Sequence, residues 1–213
     1  MNIYLIRHGV TQANIDGIWQ GRTIDAPLST KGIEQARLAA QRFRNIDIKA
    51  VYSSTLIRAK TTAAIISQQF GLEVKEVKEL EECAIDLWSG LTIDQVKEQF
   101  GEEFEMWSKD PIVSIEGVES KADLQIRAVK AVKWIINKHD EADSIIIVTH
   151  GLFLRAFFSW LMQISINSRV YGLENTGISH LTFEKPDHFR ILSLNETWHL
   201  DGFFSLNKDE ESF

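Results

Sequence analysis

One cysteine in 213 residues leaves Cys83 without a partner, which excludes an internal disulfide. No Cys/His spacing suits a zinc site, so no metal is expected. Basic residues are outnumbered, 23 Lys and Arg against 30 Asp and Glu, for a formal net charge of -7. Nucleic acid or an anionic membrane would require a basic face, so neither is an expected partner. Long apolar runs are also missing. Ile3-Tyr4-Leu5-Ile6 is too short for a signal-peptide core and stops at Arg7 and His8. Leu152 to Met162 contains Arg155 and falls short of a spanning helix. The default expectation is therefore a reducing, cytoplasmic setting. Neither an internal repeat nor a low-complexity linker divides the chain, whose length fits one domain over residues 1–213.

What the chain does contain is an alternation of short apolar runs with helical stripes. Asn2 to Ile6 reads as a buried strand, and Ile33, Ala36, Ala40 and Phe43 share a helix face beginning near Ser29 or Thr30. Ala50 to Tyr52 is a short strand running into Ser53-Ser54-Thr55. Leu56, Ala59, Ala63, Ile66 and Phe70 form the next helical stripe, closed by Gly71, and Leu72 to Val77 suits a third strand. Leu124, Ala128, Ala131, Val132 and Ile135 mark a long helix before the strand Ser144 to Thr149. Another helix follows Gly151, and Ile178 to Phe183 pairs with Phe189 to Leu194 across a turn at Pro186-Asp187. The expected fold is a three-layer α/β/α sandwich with a mostly parallel central sheet. Residues from about 90 to 120, containing Trp107 and Pro111, interrupt the pattern and read as a helical insertion over the site. The acidic tail from Lys208 to Phe213 is expected to fray.

In an open parallel sheet, ligands gather beyond the carboxyl ends of the strands. Arg7 and His8 end the first strand, and Ser53 and Ser54 end the second, with Arg58 one turn into the next helix. His150 ends the strong late strand. Two arginines with two histidines suit phosphoryl transfer. The guanidinium fork matches phosphate oxygens, and a neutral imidazole can attack phosphorus and later leave. Arg7, Arg58 and a protonated His150 could supply the charge a metal would otherwise bring, so no cofactor is expected. Gly9 and Gly151 would let a ligand approach the backbone, and the amides opening the helix after His150 would favour an anion.

The ordered segments Leu5-Ile6-Arg7-His8-Gly9-Val10-Thr11-Gln12-Ala13-Asn14, Gln20-Gly21-Arg22 and Pro27-Leu28-Ser29-Thr30-Lys31-Gly32 resemble the histidine phosphatase superfamily. So do Ser53-Ser54-Thr55-Leu56-Ile57-Arg58-Ala59, Val148-Thr149-His150-Gly151, Asn175-Thr176-Gly177 and His199-Leu200. That superfamily includes the cofactor-dependent phosphoglycerate mutases and many broad-specificity phosphatases. The resemblance implies a phosphoglycerate mutase-like fold, with His8 as the phosphorylated residue and Arg7, Arg58 and His150 on the phosphoryl oxygens. Thr11, Asn14, Gln20, Gly21 and Gly151 would line the phosphate and the substrate entrance. The family's proton donor is a glutamate upstream of a Trp-acidic-Gly element. That places the acid at Glu82, six residues before Trp88, with Glu81 as the alternative. Such an acid would protonate the departing alcohol, and its carboxylate would then activate water. Asp86 stands where the family commonly has glycine, and Ser89 where it has an acid.

The same resemblance separates two activities. The mutases carry paired arginines after a tryptophan in the insertion, whereas Trp107 here is followed by Ser108-Lys109. Gly117-Val118-Glu119-Ser120, with Arg127 beyond it, looks like the phosphatase branch. Hydrolysis of a small phosphorylated metabolite is the leading expectation, by a monomer or homodimer. Phosphoglycerate mutase activity is the alternative, and a non-catalytic phospho-ligand binding module ranks below both. His139, His180 and His188 read as structural, Cys83 as a buried thiol, and Arg22 as either a pocket guard or a solvent-facing residue.

Overall fold

The computed structural model describes residues 1–184 and 187–201. Pro186 of the expected turn and the tail from Lys208 to Phe213 lie outside the described residues. Strands are β1 (Asn2–Arg7), β2 (Ile48–Ser53), β3 (Val74–Glu76), β4 (Ser144–Thr149), β5 (Ile178–Glu184) and β6 (His188–Glu196). Helices are α1 (Gln12–Ile15), α2 (Thr30–Gln41), α3 (Ile57–Ser67), α4 (Ile93–Gln99), α5 (Gly101–Lys109), α6 (Lys121–Ile136) and α7 (Gly151–Met162).

The strands form one sheet in the order β3-β2-β4-β1-β5-β6. The pairings β3–β2, β2–β4 and β4–β1 are parallel, and β5 and β6 join antiparallel. Strand β4 is buried along its whole length, as its unbroken apolar run requires for a strand covered on both faces. Side chains alternate across the sheet. Ile3, Leu5, Tyr52, Ile145 and Ile147 pack with Leu124, Val132, Phe153 and Phe157 of α6 and α7. Tyr4, Ile6, Val51, Ile146 and Val148 pack on the other face with Ala39, Ala59, Ala63 and Ile66 of α2 and α3. The expected three-layer arrangement is thus present.

Two expectations shift in detail. The buried face of α2 is Gly32, Gln35, Ala36 and Ala39 in place of the Ile33/Ala40 stripe. The third strand shrinks to Val74–Glu76, because only Val51 to Ser53 of β2 offer it ladder partners. Residues 90–120 contain α4 and α5. Trp107 of α5 is buried against Trp88, the ring centroids 5.4 Å apart, and Trp19 packs on both.

Register decides where the site can be. Arg7 pairs with Thr149 and Ser53 with Val148, so His8, Ser54 and His150 leave the sheet side by side at one rim. The loop after β1 is then pinned under α2. A Cβ at Gly32 would stand 2.1 Å from the Val10 carbonyl oxygen, and one at Gly9 would stand 2.5 Å from the Gly32 carbonyl oxygen. The close approach that Gly9 permits is therefore to α2, not to a ligand. Gly32→Ala is expected to cost about 1–3 kcal/mol through forced backbone displacement, read as a drop in thermal midpoint. An unchanged midpoint would rule out this crossing.

Candidate active site

His8 is fastened from several directions. Its N–H donates to Thr149 (2.9 Å), its carbonyl accepts from Asn175 Nδ2 (2.9 Å), and the Gly9 N–H donates to Thr62 Oγ1 (3.0 Å). Val10 N–H donates to Gln35 Oε1 (2.9 Å). The His8 ring is 3% exposed, and its Nδ1 lies 2.7 Å from the Gly9 carbonyl oxygen. A carbonyl can only accept, so Nδ1 carries the hydrogen of the neutral ring and the lone pair falls on Nε2. Burial, then the charges of Arg58 and Arg7, hold the His8 imidazole well below its ordinary value. At neutral pH the ring is uncharged, with a free lone pair.

Around it stand donors with nothing to donate to. Arg58 is 1% exposed, and its Nη2 and Nη1 bind the carbonyls of Gly21 (2.7 Å) and Ile24 (3.1 Å). Arg7 Nη1 binds the Leu173 carbonyl (2.7 Å). The Nε of each arginine is buried without a partner, as is His150 Nδ1. The His150 ring centre lies 5.1 Å from that of His8, and its Nε2 is 2.8 Å from Ser54 Oγ. Burial, then Arg58, keeps His150 well below its ordinary value. The unliganded ring is therefore neutral, whereas the sequence suggested a protonated one. A neutral His150 still donates from Nδ1 if its Nε2 accepts from Ser54.

Glu82 lies at the start of α7. Its Oε1 accepts from Cys83 N–H (2.9 Å) and Phe153 N–H (3.0 Å), and its Oε2 from Leu152 N–H (3.1 Å). The anion held by these helix amides is the protein's own carboxylate, which corrects the expectation that they await a ligand. Glu81 points elsewhere, accepting from Thr55 Oγ1, with Arg22 Nε 3.7 Å away.

The loop bearing Glu82 is braced by a unit that sequence reasoning did not assemble. Arg127 pairs with Glu119 through Nε (2.9 Å) and Nη2 (2.8 Å), and donates to the carbonyls of Glu79, Glu81 and Glu82. Arg22 joins from the other side, with Nε on the Glu82 carbonyl (2.8 Å) and Nη2 on Glu119 (3.1 Å). Glu119 also accepts from Ala84 N–H (3.1 Å). Arg22 therefore does not simply face solvent: it helps hold the loop that carries Glu82. The motif residues Glu119 and Arg127 were visible in the sequence; their joint target was not.

The remaining expected positions divide. The Thr11 hydroxyl caps α1 and accepts from Gln20 Nε2 (3.0 Å), so its bonds are internal. Gln20 Oε1 is buried without a partner. Asn14 Oδ1 accepts from Thr11 N–H (3.1 Å) and lies 3.5 Å from Asn175 Nδ2. Gly21 takes φ +52, and a Cβ there would meet Ile85 Cγ1 at 2.6 Å. Gly151 packs beside Arg7, a built Cβ falling 3.4 Å from Arg7 Nε. The two departures also find partners. Asp86 accepts from Thr23 Oγ1 (2.5 Å), and Ser89 Oγ donates to the Gln20 carbonyl (3.1 Å), so both anchor the loop that holds Arg58. Cys83 is buried, and burial pushes its thiol well up. His139 bridges Tyr52 and Asp143, and His180 meets Asn2, away from this rim. No helix of the described residues is long and apolar enough to cross a membrane.

Residues 3–197 match the family described as the histidine phosphatase superfamily, branch 1. Phosphoserine phosphatase 1 of Hydrogenobacter thermophilus is 31% identical over 206 residues, covering 96% of each chain. A protein of Yersinia pestis (strain Pestoides F) named as a probable phosphoglycerate mutase is 30% identical over 211 residues, covering 94% of this chain and 95% of its own. Among solved structures, phosphoserine phosphatase of Entamoeba histolytica with 3-phosphoglyceric acid superposes with a TM-score of 0.81 at 28% identity. That match covers 93% of this chain and 98% of that one.

Two outcomes follow from the geometry. Glu119→Ala is expected to destabilise by about 1–3 kcal/mol, since it strands two partly buried guanidinium groups. Glu34→Ala, at a partly exposed helix position whose one ion pair is on the surface, should stay within about 0.5 kcal/mol, both read by urea unfolding. His8 and His150 have lowered folded-state values, and His199 is pushed down to about 4, by burial first and then Arg42. The unfolded chain therefore binds protons first as pH falls, and stability present above about pH 6.5 is lost on the way to about pH 4. His8→Asn should reduce that loss; an identical pH dependence would contradict the assignment.

Proposed function

The chain belongs to branch 1 of the histidine phosphatase superfamily, and from that premise we propose that this phosphatase hydrolyses small phosphomonoesters without a metal, through a phosphohistidine on His8. The observation that carries the reading is the neutral His8 ring, its Nε2 lone pair free, set among the unpartnered Nε of Arg7, Nε of Arg58 and Nδ1 of His150. Buried donors without partners are costly unless something arrives to accept from them. A phosphoryl group has three oxygens that can do so.

In this reading the Nε2–P bond forms as the ester P–O bond breaks. Arg7, Arg58 and His150 stabilise the charge spread over the equatorial oxygens. The bound phosphate dianion offsets the nearby arginine charges, so Glu82 takes up a proton in the complex and gives it to the leaving alcohol. Oε1 already accepts two amide bonds and Oε2 only one, which leaves Oε2 with the capacity to carry that proton. The Glu82 carboxylate then takes a proton from water. The water oxygen attacks phosphorus, the N–P bond breaks, and phosphate leaves with His8 restored. Thr11, Asn14, Gln20, Gly21 and Gly151 shape the entrance, Thr11 and Gly21 doing so through the backbone and partners they hold in place. The phosphoserine phosphatase names among the relatives support release of phosphate, and a small phosphorylated metabolite fits as substrate. Residues 90–120 form the helical insertion of a single domain.

The test is phosphate release from a chromogenic phosphomonoester, with and without EDTA. His8→Ala should abolish it, and EDTA should leave it unchanged; loss of activity to EDTA overturns the metal-free reading. Glu82→Gln is expected to slow turnover by about 10²–10⁴-fold, and Glu81→Gln far less. The reverse order would move the acid to Glu81. With 3-phosphoglycerate and 2,3-bisphosphoglycerate, free phosphate supports the hydrolase, and isomerised phosphoglycerate without release supports the mutase.

A further inference from the structure

Two motif segments have no part in the reaction: Asn175-Thr176-Gly177, on the loop before β5, and His199, on the one-turn 3-10 helix Trp198–Leu200. They meet behind His8. The His8 carbonyl accepts from Asn175 Nδ2 (2.9 Å) and from the Thr176 N–H (3.3 Å), which also donates to the Arg7 carbonyl (2.9 Å). Asn175 and Thr176 thus fix the peptide plane between His8 and Gly9. The imidazole is tied through Nδ1 to the Gly9 carbonyl, so a rotation of that peptide would carry the ring with it.

Thr176 holds an unfavourable backbone to do this. Its φ is +57, in the left-handed region that a β-branched residue rarely adopts, and it is fully buried. Such a conformation persists only where the surroundings over-determine it. On one side the turn is clamped by β6. Glu174 N–H donates to Asn195 Oδ1 (2.7 Å), Gly177 N–H closes on the Glu174 carbonyl (2.9 Å), and a Cβ at Gly177 would stand 2.1 Å from Asn195 Oδ1. On the other side is His199. The Thr176 hydroxyl gives its one hydrogen to the Asn175 carbonyl (2.7 Å), so its oxygen can only accept from His199 Nε2, 3.2 Å away.

His199 therefore carries a hydrogen on Nε2. Burial, then Arg42, pushes the ring down to about 4, so at neutral pH this is the one hydrogen it has to give. Its Nδ1 is buried without a partner among the described residues. A position that needed only to be filled would favour an apolar ring, which leaves no buried acceptor unsatisfied. What an apolar ring lacks is the donor to Thr176.

We propose that His199 is a positioning residue for phosphoryl transfer. By donating to Thr176 Oγ1 it locks the left-handed turn that holds Asn175 and the Thr176 amide on the His8 carbonyl, and so keeps His8 Nε2 aimed at phosphorus. The inference rests on the reading of His8 as the nucleophile. Arg58 and His150 are held by other segments, at Gly21, Ile24 and Ser54, so loss of the His199 donor affects attack more than the binding of phosphate.

Two substitutions differ in whether they keep that donor. The amide nitrogen of His199→Gln reaches the place of Nε2, and that of His199→Asn only the place of Nδ1. Turnover of a chromogenic phosphomonoester is expected to fall by about 10–100-fold in His199→Asn, with a smaller change in inhibition by inorganic phosphate. His199→Gln should restore most of the rate. Thr176→Val keeps the branched shape without the accepting hydroxyl; it should reproduce the loss, and serves alone should His199→Asn fail to fold. The double variant Thr176→Val/His199→Asn should be no slower than either single one. Exchange of the buried His8 Nδ1–H with water, followed by proton NMR, gives a readout without turnover: slow in the wild type and His199→Gln, faster in His199→Asn. Full turnover in His199→Asn or Thr176→Val, equal losses in His199→Gln and His199→Asn, a loss confined to phosphate inhibition, or an unchanged Nδ1–H exchange overturns the assignment. Failure of the phosphatase reading shows separately, as absent phosphate release by the wild type or turnover that survives His8→Ala, and the Nδ1–H exchange then still decides whether His199 holds His8.

Discussion

Desolvating two guanidinium groups beside two imidazoles, with Glu82 the largest opposing charge on each arginine, is the constraint that orders this molecule. Arg58 and Arg7 are desolvated, and such charges are tolerated only where hydrogen bonds replace water. Here the replacement is backbone. Carbonyls of Gly21 and Ile24 take one fork, and that of Leu173 takes part of the other. Each loop must therefore be shaped to aim its carbonyls inward. Gly21 at positive φ and the Ser89 and Asp86 anchors do that for the first loop.

The same constraint explains the state of the imidazoles. A histidine among buried arginines is kept neutral, and the Gly9 carbonyl chooses which nitrogen holds the hydrogen. Nε2 is thereby left with the lone pair and no hydrogen. The sheet supplies the rest by register: β1, β2 and β4 are parallel and end together, so residues distant in sequence converge without any long side chain reaching across.

The sequence made some of this legible and hid other parts for identifiable reasons. Strand β4 and helix α6 could be read because their apolar patterns are local and uninterrupted, and His8, Arg58 and His150 because each follows such an element. Gly9 was readable as a close approach, but the partner, Gly32, could only come from the crossing of the loop with α2. The occupant of the α7 amides was likewise hidden. Glu82 and Leu152 are joined by packing, and spacing along the chain says nothing about it. The brace of Arg22, Glu119 and Arg127 links three distant segments, and only their position around one carbonyl-rich loop reveals a common purpose.

That brace also constrains how the sequence can drift. Its residues share one carboxylate and one set of carbonyls, so their substitution effects cannot be additive. Losing Glu119 turns both arginines into liabilities, and losing either arginine alters what the other must hold. Change at these positions is then epistatic: replacements must arrive together, or in an order that passes through a less stable intermediate. Arg22, Glu119 and Arg127 should be inherited as a block, even in lineages whose substrates have diverged.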